Sequence, residues 1–100
     1  MLDIAATFTR HNGDRWALIL RRYTAEPAWR NATLHKLDAE GRPVPKKCPS
    51  QPRKYTRLEV GWNGERLSEC ECTWWLRRRT PDLHDQLIDY LRKNVPKRTD

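Results

Sequence analysis

The sequence predicts one α+β domain, with an antiparallel sheet of four to five strands covered on one face by a C-terminal helix. Several short segments alternate apolar and polar residues, as strands with one buried face do. Two Asn-Gly pairs, Asn12-Gly13 and Asn63-Gly64, mark hairpin turns because both residue types tolerate positive φ. Residues 81–94 have a helical apolar period. A length of 100 residues fits one domain, assigned to 1–96, followed by a frayed tail at 97–100.

The first part of the chain predicts three strands. Ile4–His11 alternates weakly and is followed by the first Asn-Gly turn. Asp14–Thr24 is rich in Trp, Ile, Leu and Tyr, which favour strands, and Pro27 ends it. Trp29–Leu37 is the third strand, and the following Asp38–Gly41 segment predicts a turn.

A basic, proline-rich loop follows. The eighteen residues from Gly41 to Leu58 carry six positive charges, no acidic side chain and four prolines. Proline disfavours both helix and central strand, so the loop is predicted from Arg42 to Lys54. An uncompensated cationic loop favours an anionic partner, and nucleic-acid phosphate is a common one.

A second hairpin is predicted from Tyr55–Trp62 and a return strand, Leu67–Arg77. Leu58 meets Cys70, and the apolar residues stay together, only if the turn has three residues with Gly64 in the left-handed region. The return strand is then predicted to direct its apolar side chains toward the core: Cys70, Cys72, Trp74 and Leu76.

The C-terminal helix is predicted over 81–94. Thr80 is a suitable N-cap residue, and Pro81 fits the first helical position. An apolar stripe at helical spacing faces the sheet, while Val95-Pro96 ends the helix. The stripe contains Leu83, Leu87, Tyr90 and Leu91, with Ile88 at its edge.

The sheet face opposite the helix is predicted to mix cations with aromatic rings. The net charge is +7, and the excess lies in the proline-rich loop and near the C-terminus. If Leu18, Leu20, Ala32 and Leu34 belong to the core, alternation directs a second set of residues outward. That set contains Arg21, Tyr23, Trp29, His35, Tyr55, Arg57, Trp75 and Arg77. A binding face and a second small core or dimer interface remain open for these aromatics.

Cations for phosphates and rings for unstacked bases are the chemistry of single-strand binding. We therefore expect a small nucleic-acid-binding protein, a homodimer, that prefers single-stranded DNA or RNA. The predicted binding residues are Arg42, Lys46, Lys47, Arg53, Lys54, Arg57, Tyr55, Trp29, Trp75, Arg77 and Arg78. The alternative is a protein-interaction module, such as a phage- or plasmid-type inhibitor or adaptor that docks on an acidic host protein, because Trp, Tyr and Arg also suit protein interfaces.

The sequence points to no catalytic site, metal or cofactor, although a small nuclease remains open. Three cysteines and three histidines occur without the paired spacing of a zinc site. An odd cysteine count and the lack of a signal-peptide pattern predict a cytoplasmic protein. The longest apolar run, Trp16–Leu20, is too short to span a bilayer, so no membrane partner is expected.

Overall fold

The computed structural model describes residues 3–23, 29–45 and 55–96. It confirms the α+β class: four strands form an antiparallel sheet in chain order, followed by two helices. The elements are β1 (Ala6–Thr9), β2 (Arg15–Tyr23), β3 (Arg30–Lys36), β4 (Arg57–Trp62), α1 (Glu71–Arg79) and α2 (Pro81–Asn94). The predicted tail at 97–100 lies outside the described residues.

The first hairpin forms at the predicted Asn-Gly pair. Gly13 has φ +94°, and Arg10 closes the turn by donating its backbone N–H to Asp14 O at 2.7 Å. Asn12 Oδ1 accepts the Asp14 N–H at 2.9 Å, so the asparagine side chain supports the turn. Strand pairing follows, with Phe8 opposite Trp16.

The second turn confirms one part of its prediction and corrects another. Gly64 does adopt a left-handed conformation, with φ +96°. The chain returns by a single bridge between Trp62 and Leu67, and Ser68 N–H donates to Gly61 O at 2.8 Å. This register is shifted by one residue from the predicted one, so the expected pairing of Leu58 with Cys70 is wrong.

The predicted return strand Leu67–Arg77 is also wrong, because residues 71–79 form α1. Spacing of three places Thr73 and Leu76 on one buried helix face. Glu71 lies in the first turn, and the last turn carries three arginines, as the helix dipole favours. The apparent alternation arose because this short segment satisfies both a strand and a helix period.

Helix α2 has the predicted bounds, Pro81–Asn94, with proline in its first turn. Leu83, Leu87 and Leu91 are buried. The expected capping role of the Thr80 side chain is not realised: its hydroxyl donates back to Leu76 O at 2.9 Å. Thr80 thereby closes the end of α1 while its backbone starts α2.

The core lies between the sheet and the helices. Three of the four residues expected in the core on β2 and β3, Leu18, Ala32 and Leu34, are fully buried, whereas Leu20 is only partly buried against the core. Trp62 is also fully buried, and its indole N–H donates to Val95 O at 2.7 Å, which ties β4 to the end of α2. The remaining core side chains are Phe8, Trp16, Leu58, Val60, Leu67, Leu76, Leu83, Leu87, Leu91 and Val95.

Side chains also hydrogen-bond to the backbone of both edge strands, β1 and β4. On β1 and the residue before it, Thr9 O and Ala5 O accept bonds from Gln86 at 2.9 Å and Tyr90 at 3.3 Å, both on α2. On β4, Gly61 N–H donates to Ser68 Oγ at 2.9 Å. Within 3–23, 29–45 and 55–96, neither helix has the length and apolar character needed to cross a bilayer.

Candidate nucleic-acid interface

We call the sheet face opposite α2 the open face. Every second residue of each strand lies on this face, and these residues form rows across the strands. Ala17, His35 and Arg57 lie in register across β2, β3 and β4. The next row contains Ile19, Thr33 and Glu59. Arg15, the first residue of β2, is exposed and shares this face by alternation. Arg21 is also exposed; the strand register shifts between Leu20 and Tyr23, and the charge of Arg21 acts on His35.

The cations of the open face spread over a large area. Arg15 and Arg21 are six residues apart, which is about 20 Å along a strand, and Arg57 lies two strands away, about 10 Å. Glu59 is the acidic side chain in the two central rows, and its Oε1 lies 2.6 Å from Arg57 Nη2. Counting three arginines against one glutamate leaves these named charges with an excess of two.

Arg57 is the half-buried cation of this surface. Its side chain is 32% exposed, which leaves part of the guanidinium accessible beside its ion pair with Glu59. Its Nε is buried and has no hydrogen-bond partner in the described part of the chain.

His35, between Ala17 and Arg57 in its row, is sensitive to the charge around it. Partial burial lowers its pKa, and the positive charges of Arg57 and Arg21 lower it further. Glu59 acts in the opposite direction but does not reverse the shift. The imidazole therefore lies in a positive local field.

Tyr55 and Trp75 meet at the start of β4, but the expected arrangement is corrected. Trp75 belongs to α1 and not to a strand face, and its ring meets Tyr55 edge-on at 5.2 Å between centroids. The Tyr55 hydroxyl donates to Glu71 Oε1 at 2.8 Å, and this bond raises the pKa of the phenol. Both rings are half-buried and use part of their surface on each other.

Trp29 packs on the open-face side of β4. A Cβ at Gly61 would lie 3.2 Å from Trp29 Cε3 and 3.1 Å from Ser68 Oγ, so the glycine permits this close approach. The Arg66 guanidinium lies 6.0 Å from the Trp29 ring centroid. Trp29 is half-buried and combines an indole with a nearby cation.

Helix α1 carries an exposed cluster that sequence alternation assigned incorrectly. Trp74, expected in the core, is 56% exposed, and the Arg78 guanidinium lies 4.9 Å from its ring centroid. Arg77, expected on the sheet face, lies on the helix, 3.5 Å from Glu69. A helical period applied to 71–79 would have separated Trp74 from buried Leu76.

The described start of the basic loop forms a tight turn. Asp38 Oδ1 accepts the backbone N–H of Arg42 at 2.9 Å, and Pro43 pairs with Leu37. Arg42 is exposed, and Arg15 Nη2 lies 3.8 Å from the position that a Cβ would take at Gly41. The other predicted loop cations lie outside the described residues: Lys46, Lys47, Arg53 and Lys54.

The two described cysteines differ in environment. Cys70, expected in the core, is exposed at the N-cap of α1, and Thr73 Oγ1 lies 3.3 Å from its sulfur. Burial raises the Cys70 pKa, but hydrogen bonds from Thr73 and its neighbours outweigh this and lower it overall. Cys72 packs partly against the core, and burial raises its pKa. Among the described residues, no three His, Cys, Asp or Glu side chains converge as a metal site would require.

No protein family, curated protein or solved structure matches this chain. The surfaces that bear on its function are the cationic open face and the exposed Trp74 ring with Arg78 on α1.

Proposed function

We propose that the protein binds nucleic acid, with a preference for single strands, through the open face and the adjoining basic loop. One observation carries the proposal: His35 and Arg57 lie in register on one sheet face, where burial and then the charges of Arg57 and Arg21 lower the pKa of His35. A polyanion offsets these positive charges by supplying negative charge. Ala17 and Thr33 on this face are each 1% exposed, so the proposed contact is made by the charged side chains around them.

The loop would extend the contact along the phosphate backbone. Arg42 lies at the described beginning of the loop, and Arg15 reaches the same turn from β2. Lys46, Lys47, Arg53 and Lys54 follow along the chain and would add four phosphate contacts. Such contacts fix position without reading base sequence. We also propose that the protein acts in the cytoplasm as a homodimer.

Salt dependence tests the open face directly. Arg21→Gln and Arg57→Gln together should lower the affinity for a fluorescent oligothymidine. The slope of log affinity against log salt should fall by about 0.7 for each lost phosphate contact on a single strand. Arg92→Gln is the matched control, because Arg92 is exposed in the last turn of α2. Equal slopes in all three proteins would exclude the open face as the contact.

The loop requires its own test. Lys46→Glu with Lys47→Glu should weaken oligothymidine binding strongly while leaving the urea unfolding midpoint unchanged, because both are charged residues of the predicted loop. Unchanged binding would remove the loop from the interface but leave the open face in place.

A protein-interaction module is the second candidate, and the contact between Tyr55 and Trp75 favours it. Clustered aromatic side chains with charge around them are typical of protein hot spots. Affinity capture from untreated and nuclease-treated lysate separates the two functions. Captured partners that persist after complete nuclease digestion would favour the protein-binding candidate, and their loss would favour nucleic acid.

A further inference from the structure

Trp74 differs from the other four tryptophans in its exposure. Trp16 and Trp62 are 2% and 0% exposed, and Trp29 and Trp75 are half-buried, whereas Trp74 is 56% exposed. Tryptophan is highly buried on average, so this exposed indole is a candidate contact surface. Neither the core nor the open face uses this ring.

Arg78 lies against the Trp74 ring, at 4.9 Å from its centroid. A cation over one face of an indole is held there by the quadrupole of the ring. More than half of the Trp74 surface nevertheless remains accessible. The arrangement leaves room for a second flat group on the indole, with a guanidinium close by.

The charge around this ring favours an anionic partner. Arg77, Arg78 and Arg79 are all exposed in the last turn of α1. Arg77 has a long contact of 3.5 Å with Glu69, and no carboxylate within the described ranges pairs with Arg78 or Arg79. A flat ring beside unneutralised arginines matches a nucleotide, which combines a flat base with a phosphate.

We propose that Trp74 is a stacking platform for an unpaired base and that Arg78 holds the adjoining phosphate. The inference rests on the proposed nucleic-acid function and identifies its ligand as a strand with accessible bases. In a duplex the base faces are already stacked on each other, so this platform discriminates against double strands. The contact between Trp75 and Tyr55 links α1 to the start of β4, beside the open face.

The test measures fluorescence anisotropy with three labelled probes: a 15-nucleotide oligothymidine, a duplex of equal length and a heparin octasaccharide. Trp74→Leu keeps an apolar side chain but removes the aromatic face. It should weaken oligothymidine binding about tenfold, since one stacked base contributes about 1–3 kcal/mol. Heparin has no bases, so its affinity should not change, and duplex binding should change less than threefold.

Two further variants control for charge and ring size. Trp74→Phe retains a stacking ring and should lose less oligothymidine affinity than Trp74→Leu, while reducing the quenching of tryptophan fluorescence that oligothymidine causes. Arg78→Gln should weaken binding of oligothymidine more than Arg79→Gln does, because Arg78 is the arginine on the indole. Equal urea midpoints establish that all variants fold.

The outcomes separate this inference from the proposed function. Unchanged oligothymidine affinity in Trp74→Leu, with weaker binding in the Arg21→Gln and Arg57→Gln protein, overturns the platform and retains the function. A dimer lost in Trp74→Leu without any change in oligothymidine affinity assigns the ring to self-association and also overturns the inference. A native protein that binds neither oligothymidine nor heparin overturns both proposals.

Discussion

The replacement of Trp62 by phenylalanine should destabilise the protein far more than the same replacement of Trp74. Trp62 is fully buried and donates its indole N–H to Val95 O at 2.7 Å, where Val95 is itself 2% exposed. Loss of the donor leaves a buried carbonyl unsatisfied, at about 1–3 kcal/mol. The smaller ring leaves a cavity of a few tens of Å³, which adds about 1 kcal/mol. The expected total is about 2–4 kcal/mol.

Trp74→Phe is the matched control because it makes the identical chemical change at an exposed position. We expect it to cost less than about 1 kcal/mol, since only a surface cation–π contact is weakened. Urea unfolding gives both free energies, and circular dichroism gives the melting temperatures. Trp62→Phe should lower the melting temperature by about 10 °C or more, from about 4–8 °C per kcal/mol in a domain of this size.

The comparison tests the assignment of residues 71–79. If this segment were the return strand that alternation predicts, Trp74 would face the core and its replacement would be as costly as that of Trp62. Equal losses of stability in the two variants would therefore refute α1 and restore the five-stranded sheet.

Two titratable groups give further predictions. At Asp82, partial burial raises the pKa, but hydrogen bonds from Arg10 and the His11 N–H outweigh it and lower the pKa to about 2. Asp82→Asn should cost about 1–2 kcal/mol in urea at pH 7. The difference should shrink as pH falls from about 4 to about 2, because the native carboxylate becomes protonated there; a constant difference would contradict the pairing. Asp85→Asn, at a carboxylate that is 81% exposed, should have little effect. For His35, NMR titration should give a pKa below 6.5 that rises when oligothymidine binds, since a nearby polyanion favours the imidazolium. Affinity should accordingly increase as pH falls, and an unchanged His35 pKa in the complex would remove the strand from the open face.

The sequence was sufficient for the four strands and for α2. The signals used are local. Alternation indicates the strands, the two Asn-Gly pairs indicate the turns, and the apolar stripe indicates α2. The placement of Leu18 and Leu34 in the core then determines which side chains share the open face. His35 follows Leu34 on β3 and Arg57 precedes buried Leu58 on β4, so alternation along each strand places both on the open face.

Helix α1 could not be predicted because its nine residues satisfy two periods. Alternation groups Trp74 with Leu76, whereas the helical period groups Thr73 with Leu76. Tertiary contacts decide between them: Trp75 packs on Tyr55, and the Tyr55 hydroxyl reaches Glu71 one turn earlier. Trp74 was not predicted as an exposed binding residue because residues 71–79 were predicted as part of a strand. On a helix, Trp74 lies away from buried Thr73 and Leu76.

The hydrogen bonds at the sheet edges restrict how a homodimer could form. Tyr90 and Gln86 occupy carbonyls at the β1 edge, and Ser68 occupies the Gly61 N–H and carbonyl at the β4 edge. A second copy that extended the sheet would need these backbone groups, so edge pairing is disfavoured.

Pairing of two open faces would instead bring two cationic surfaces together, which like-charge repulsion opposes unless an anion lies between them. We therefore expect sedimentation velocity at low salt to show a monomer without nucleic acid and a dimer once oligothymidine is added. The dimer should dissociate as salt rises, because its bridging contacts are ionic. A stable dimer at high salt without oligonucleotide would place self-association on an apolar surface and remove the open face from it.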